Sequence, residues 1–311
     1  MARFIQQLIL LMLLGLSFQS GVVAAELRGF TLAERSQKSL ERVTESVLEK
    51  LKKNGFEILG DYRPEDGVNI FIITNRELKK VAAKSEFGGF GAVIKVSVAR
   101  VTLEDGRKEV QVAYNNPEYM ALAYWLNSRL KATKAKLKKA LGAIEDFGGP
   151  VDEESLPDYN YTIGMEGFTG FFELAQFSSY REAVKSVETN LAKGRFGISQ
   201  VFRLDIPGKK QTLFGLGMKA NVEENRFIND EYVMEIIDYQ QPRRLPHLPY
   251  EILVIDDRVI AMHPHFRIAI SFPDLHMFGE HGFGRMIQLP YDYEEFIIRA
   301  IGGQWPPEED W

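Results

Sequence analysis

Apolar residues fall at helical spacing in two widely separated stretches of the chain. Leu40, Val43, Val47, Leu48 and Leu51 share one helical face, and Tyr180, Ala183, Val184, Val187 and Leu191 share another. Gly55 and Gly194 follow, where glycine accepts the left-handed conformation that closes a helix. A strand is predicted after each, at Phe56-Glu57-Ile58-Leu59 and at Phe196-Gly197-Ile198-Ser199. The two stretches are one pattern. Residues 39–63 align with 179–203 without a gap, and eight of the 25 positions are identical, among them Leu51/Leu191 and Phe56/Phe196. The expectation is two tandem α+β lobes related by duplication. Each is a small, mainly antiparallel sheet with helices packed on one side, and the lobes touch through their apolar helices.

The remaining pattern extends both copies. The first continues with an apolar strand from Val68 to Ile73 and a short helix from about Arg76 to Lys84. Alternating strands, Val93 to Val101 and Glu109 to Tyr114, then surround Glu104-Asp105-Gly106, and Asp-Gly between such strands signals a hairpin. The second copy ends comparably, with Tyr250 to Ile255 and Val259 to Ile270 around Asp256-Asp257, after an extra polar stretch from Asn221 to Glu231. Asn116-Pro117-Glu118 opens a connecting helix predicted to run to about Leu141. Its lysines form a solvated face opposite the stripe Leu126, Leu130, Leu137 and Leu141. Gly148-Gly149-Pro150 reads as a linker. The expected boundaries are 1–25 for a leader, 26–146 for the first lobe with its connecting helix, 147–160 for a linker, 161–303 for the second lobe and 304–311 for an acidic Pro/Trp tail.

The ends and the charge locate the protein. Arg3 is the only charge before residue 26, an apolar run Leu8 to Leu16 follows it, and Val23-Ala24-Ala25 supplies small residues for cleavage. That is the pattern of a secretory signal peptide cleaved after Ala25, and the run is short of the roughly 20 residues a spanning helix needs. No later segment is apolar enough to span, so a periplasmic or secreted protein is expected. The chain has no cysteine, which excludes disulfides, iron–sulfur clusters and a thiol nucleophile. Its net charge is −5, or −6 without Arg3, which argues against nucleic acid as a partner.

Short motifs resemble a known family. Ala113-Tyr114-Asn115-Asn116-Pro117-Glu118-Tyr119, Phe214-Gly215, and Leu248-Pro249 followed by a strand and Asp256 resemble the domain-of-unknown-function 302 family, in two tandem copies. Leu216-Gly217 stands where that family often has Asn-Pro, and Ser271-Phe272-Pro273-Asp274 only loosely echoes the first hairpin end. The resemblance implies a compact α+β domain that often dimerises. It implies no established reaction and no catalytic residues.

The sharpest chemical anomaly is the histidines. All five, His247, His263, His265, His276 and His281, lie in the second lobe. His263 and His265 flank Pro264, so in an extended strand both point to one face and can offer two imidazoles to zinc or copper. His276 and His281 are further candidate ligands, Asp274 lies nearby, and Met262, Met277 and Met286 suit copper(I). The bland alternative is locally hydrogen-bonded surface histidines, with Pro264 bending the strand.

Other motifs weigh less. Gly215-Leu216-Gly217-Met218-Lys219-Ala220 fits a dinucleotide fingerprint, but the segment after it lacks an apolar helical stripe. A turn with backbone crowding is the better reading. Gly88-Gly89-Phe90-Gly91 lacks the lysine of a phosphate loop, and no nucleophile elbow is present. Asp256-Asp257 sits at a turn, where aspartate is common for backbone reasons. Phe168, Phe171, Phe172, Phe177, Phe202 and Phe214 read as core before they read as a ligand pocket.

Three functions follow. The leading one is an exported, non-enzymatic binding or accessory protein, holding a small ligand or protein partner between the lobes and able to form a homodimer. The second is a periplasmic copper- or zinc-binding protein using the histidine cluster, these metals being the only cofactors the sequence suggests. The third is a hydrolase whose acid/base residues the sequence does not identify.

Overall fold

A computed structural model describes residues 25–103 and 105–305. The expected leader, apart from Ala25, and the expected tail beyond Trp305 lie outside the described residues. The architecture is α+β, with two antiparallel sheets of six and five strands.

The first lobe begins with β1 (Glu26–Ser36), the amphipathic helix α1 (Leu40–Lys53), β2 (Glu57–Tyr62) and β3 (Val68–Thr74). Ser39 caps α1 by accepting the Arg42 amide, and Gly55 takes a φ of +79° just past its end. A short helix α2 (Arg76–Ala82) leads through a buried 3-10 turn at Gly88–Gly91 to β4 (Ile94–Thr102) and β5 (Lys108–Asn115). The two are in register from Val96↔Tyr114 to Thr102↔Lys108, as the Asp-Gly turn predicts.

The expected connecting helix is broken in two, α3 (Pro117–Ala123) and α4 (Lys131–Leu141). Trp125 and Leu130 both adopt positive φ, 51° and 53°, which no helix tolerates. The expected linker is corrected as well, because Glu145–Asp152 forms β6, paired with β1 at the sheet edge. Gly148 takes a φ of +95° where the register shifts, so the glycines serve a β-bulge.

The second lobe repeats the path of the first. It runs β7 (Phe171–Gln176), α5 (Tyr180–Leu191), β8 (Ile198–Asp205), β9 (Gln211–Met218), short helix α6 (Val222–Asn225), α7 (Asp230–Ile237), β10 (Tyr250–Ile255), β11 (Arg258–Met262), α8 (Pro264–Ser271) and α9 (Leu289–Ala300). The sheet orders are β2-β3-β4-β5-β1-β6 and β7-β11-β10-β9-β8. Without β6 they are the same connectivity, with β1 matching β7, β2 matching β8 and so on. The predicted strand from Val259 to Ile270 stops at Met262, and Pro264 opens α8 instead of bending a strand. The counterpart of Asn116-Pro117 is therefore His263-Pro264, and Ser271-Phe272-Pro273-Asp274 lies one helix later.

Alternation along the strands sets the layers. Phe71, Ile73, Ile94, Val96 and Val98 pack against Val43, Val47 and Leu51 of α1 and Leu137 of α4. Their neighbours on the opposite face, Ile70, Ile72, Ala99 and Val101, join a core that includes Leu213, Leu216, Ile252 and Leu253 of the second sheet. The helices α1 and α4 therefore form an outer layer, and the lobes meet through their sheets. This corrects the expected helix-to-helix contact. A Cβ added at Gly60 on β2 would lie 2.5 Å from the Val201 carbonyl oxygen on β8, so a missing side chain lets the two edges close together.

Candidate metal centre

The junction of β11 and α8 puts two imidazoles side by side. His263 is the N-cap of α8, and Pro264 occupies the first helical position, where its missing N–H costs nothing. His263 Nδ1 accepts the His265 backbone N–H at 3.3 Å. The ring centroids are 5.0 Å apart. Helix capping, not strand alternation, brings the pair together. Phe172 packs on the His263 ring and Phe283 on the His265 ring.

The partners fix the tautomers. His265 Nε2 lies 3.1 Å from the Met286 carbonyl oxygen and must donate to it, which leaves Nδ1 with a free lone pair. His263 Nδ1 accepts the His265 amide over a long 3.3 Å, so its Nε2 carries the proton, and its one lone pair would have to turn from that amide to a metal when one binds. Burial pushes the His263 pKa down to about 4, against the pull of Glu166 and with the help of His265. The His265 pKa is also lowered, chiefly by burial. Both shifts favour the neutral ring, the form that binds a metal.

Glu166 completes the cluster. The ligand atoms of Glu166, His263 and His265 all lie within 4.8 Å of one another. Glu166 Oε2 is 3.5 Å from His263 Nδ1, longer than a good hydrogen bond. It matches the edge of a tetrahedron around zinc, roughly 3.4 Å for metal–ligand distances of about 2.0–2.2 Å. The Glu166 side chain keeps 39 % exposure, so a metal would have a solvent-facing side. Gly170 makes room for it, since a Cβ there would lie 2.9 Å from Glu166 Cβ.

The other sequence candidates do not join. His276 is exposed, and His281 Nδ1 faces the Ile236 carbonyl oxygen while its ring stacks on Tyr239. His247 is buried between the Ser271 and Tyr250 hydroxyls. Met286 serves through its backbone carbonyl. The dinucleotide-like glycines Gly215 and Gly217 lie inside β9, where they admit the rings of Phe202 and Tyr62. Phe168 and Phe171 cluster with Phe87 and Phe90 of the first lobe as interface core. Asp256-Asp257 is the β10–β11 turn, with Asp256 at φ 51°.

Glu166 is the member that sequence reasoning missed. It lies 97 residues before His263, in a stretch without periodic pattern, and one glutamate among so many carries no signal. A separate cleft of about 700 Å³ runs between the lobes, lined by α1, the β2–β3 turn, Lys219 and Glu231. Its carboxylates are spread out and form no metal-sized group among the described residues. No helix among the described residues is long and apolar enough to cross a membrane. Comparison of the chain with family models, with curated proteins and with solved structures finds no match.

Proposed function

We propose that this is an exported metal-binding protein that takes one divalent transition metal, zinc or copper(II), at Glu166, His263 and His265. The observation that carries the reading is the 3.5 Å gap between Glu166 Oε2 and His263 Nδ1, beside a second imidazole whose tautomer presents a lone pair. Two imidazoles and a carboxylate suit zinc and copper(II), and thioether-rich copper(I) coordination is not what this donor set favours. Three protein donors leave at least one coordination position for water or another ligand, on the side where Glu166 meets solvent. Export rests on the leader-like first 25 residues.

Metal analysis after exhaustive dialysis against zinc, followed by calorimetric titration, tests the reading. One equivalent per chain is expected. Glu166→Gln removes the carboxylate charge at a half-exposed position, and should weaken binding by more than about tenfold without changing the fold. A wild-type chain that retains no zinc or copper, and whose melting temperature ignores both, refutes the proposal.

A further inference from the structure

Glu166 reaches the two histidines from a different part of the fold. His263 and His265 stand at the start of α8 in the second lobe, whereas Glu166 stands on the segment 153–170, which carries the chain from β6 of the first lobe to β7 of the second. Apart from a 3-10 turn at Leu156–Asp158, that connection has no helix or strand of its own. Connections so long are uncommon inside a folded chain unless they serve a function.

The second half of the segment is pinned at two points. Tyr161 stacks on the Phe283 ring at 4.4 Å, and its hydroxyl donates to the Leu275 carbonyl oxygen. Phe168, 3 % exposed, wedges between the lobes, meeting the rings of Tyr124 and Trp125 from the first and of Phe171 and Phe266 from the second at 5.4–5.9 Å. Between the pins little holds the chain. Gly164 takes a φ of +88°, and Ile163 is wholly exposed. From Thr162 to Glu166 the one backbone hydrogen bond among the described residues is a turn, from the Met165 N–H to the Thr162 carbonyl oxygen. Few buried contacts and few backbone bonds mark a stretch that opens at low cost.

Without a metal, Glu166 adds little to that hold. His263 Nδ1 accepts the His265 N–H, so Glu166 Oε2 faces a lone pair at 3.5 Å with no proton between them. A divalent cation turns two facing acceptors into two ligands, and so ties the segment to α8.

We propose that the metal is the clasp of a strap. Occupancy orders residues 159–170 against the second lobe and holds Phe168 in its wedge, and loss of the metal frees the strap. This rests on the metal reading and adds to it a change of order that the metal controls.

Hydrogen exchange of the full chain, metal-free and with zinc, tests the strap. Zinc at saturation, fixed by calorimetry, should slow exchange of the amides of residues 162–168 by about tenfold or more. The turn between β8 and β9, which also exchanges locally, should not change. Glu166→Gln gives the discriminating arm. Loaded to saturation through its two histidines, it should show no slowing in the strap. Should Glu166→Gln hold no zinc at all, the wild-type comparison decides alone. A wild-type chain that binds one zinc while its strap exchanges as before overturns the strap and leaves the metal centre standing. Equal slowing in saturated Glu166→Gln also overturns it, because the carboxylate is then not the tie. A chain that binds no zinc removes both readings.

Discussion

Asp230 and Tyr62 show how much one hydrogen bond between lobes can carry. Tyr62 ends β2 in the first lobe, and its hydroxyl donates to Asp230 Oδ2 in the second at 2.6 Å. Burial pushes the Asp230 pKa up to about 7, although the bonds from Tyr62 and Met218 and the cations Lys219 and Lys95 pull it down. The folded chain therefore keeps a proton that the unfolded chain has lost between the ordinary value of 3.8 and about 7. Stability should fall as pH rises through that window, by at most about 1.4 kcal/mol per pH unit. Lys95 works in the neighbouring window. Burial and Arg267 hold its pKa down to about 7, so its penalty grows as pH falls from 10.5 toward that value. Asp230→Asn keeps an acceptor for Tyr62 and removes the acidic window. Urea unfolding across pH 4 to 7 should show a flatter profile for the variant, which gains on the wild-type chain as pH rises. Parallel profiles would mean that Asp230 is ionised throughout.

At the scale of the element, α8 and α3 are the same helix in two lobes with different caps. Asn116 accepts the Glu118 N–H at the start of α3, and His263 accepts the His265 N–H at the start of α8. The first lobe spends this position on structure alone, since Glu118 pairs with Lys134. The second places imidazoles at both equivalent positions. His263→Asn should therefore keep the α8 cap and the fold while removing a metal donor. His263→Ala should lose both, at a cost of about 1 kcal/mol in stability even without metal. Chemical denaturation of the metal-free variants separates the two, and equal stabilities would deny His263 its capping role. Such matters were partly legible in the chain. Periodicity marked α1, α5 and the β4–β5 hairpin because an amphipathic face and an Asp-Gly turn are local. It ran α3 and α4 together because the backbone reversal at Trp125 and Leu130 leaves no mark on apolar spacing. The two histidines stand out in the sequence, but their spacing suggests a strand, whereas Pro264 stops β11 and starts a helix.

At the scale of the molecule, the matching connectivity of the two sheets is what the echo of residues 39–63 in 179–203 leads one to expect from a duplicated module. How the modules join was not legible, because contact between sheets depends on which face of each strand is left uncovered. Only the structure shows Ile70 and Ile72 turned toward the second lobe while Phe71 and Ile73 turn toward α1. The shared core has a thermodynamic consequence. Neither lobe covers both faces of its sheet alone, so the chain should unfold in one cooperative transition. Gly60 is the place to test this. A methyl group there meets the Val201 carbonyl oxygen at 2.5 Å, and because that neighbour is backbone, the β2 and β8 edges must separate. Gly60→Ala should destabilise by about 1–3 kcal/mol, as overpacking of a fitted contact does. Calorimetry should show one peak moved to lower temperature, with helical and aromatic signals lost together. Two peaks, of which the variant shifts only one, would show that the lobes fold independently and that the sheet-to-sheet contact is merely a docking surface.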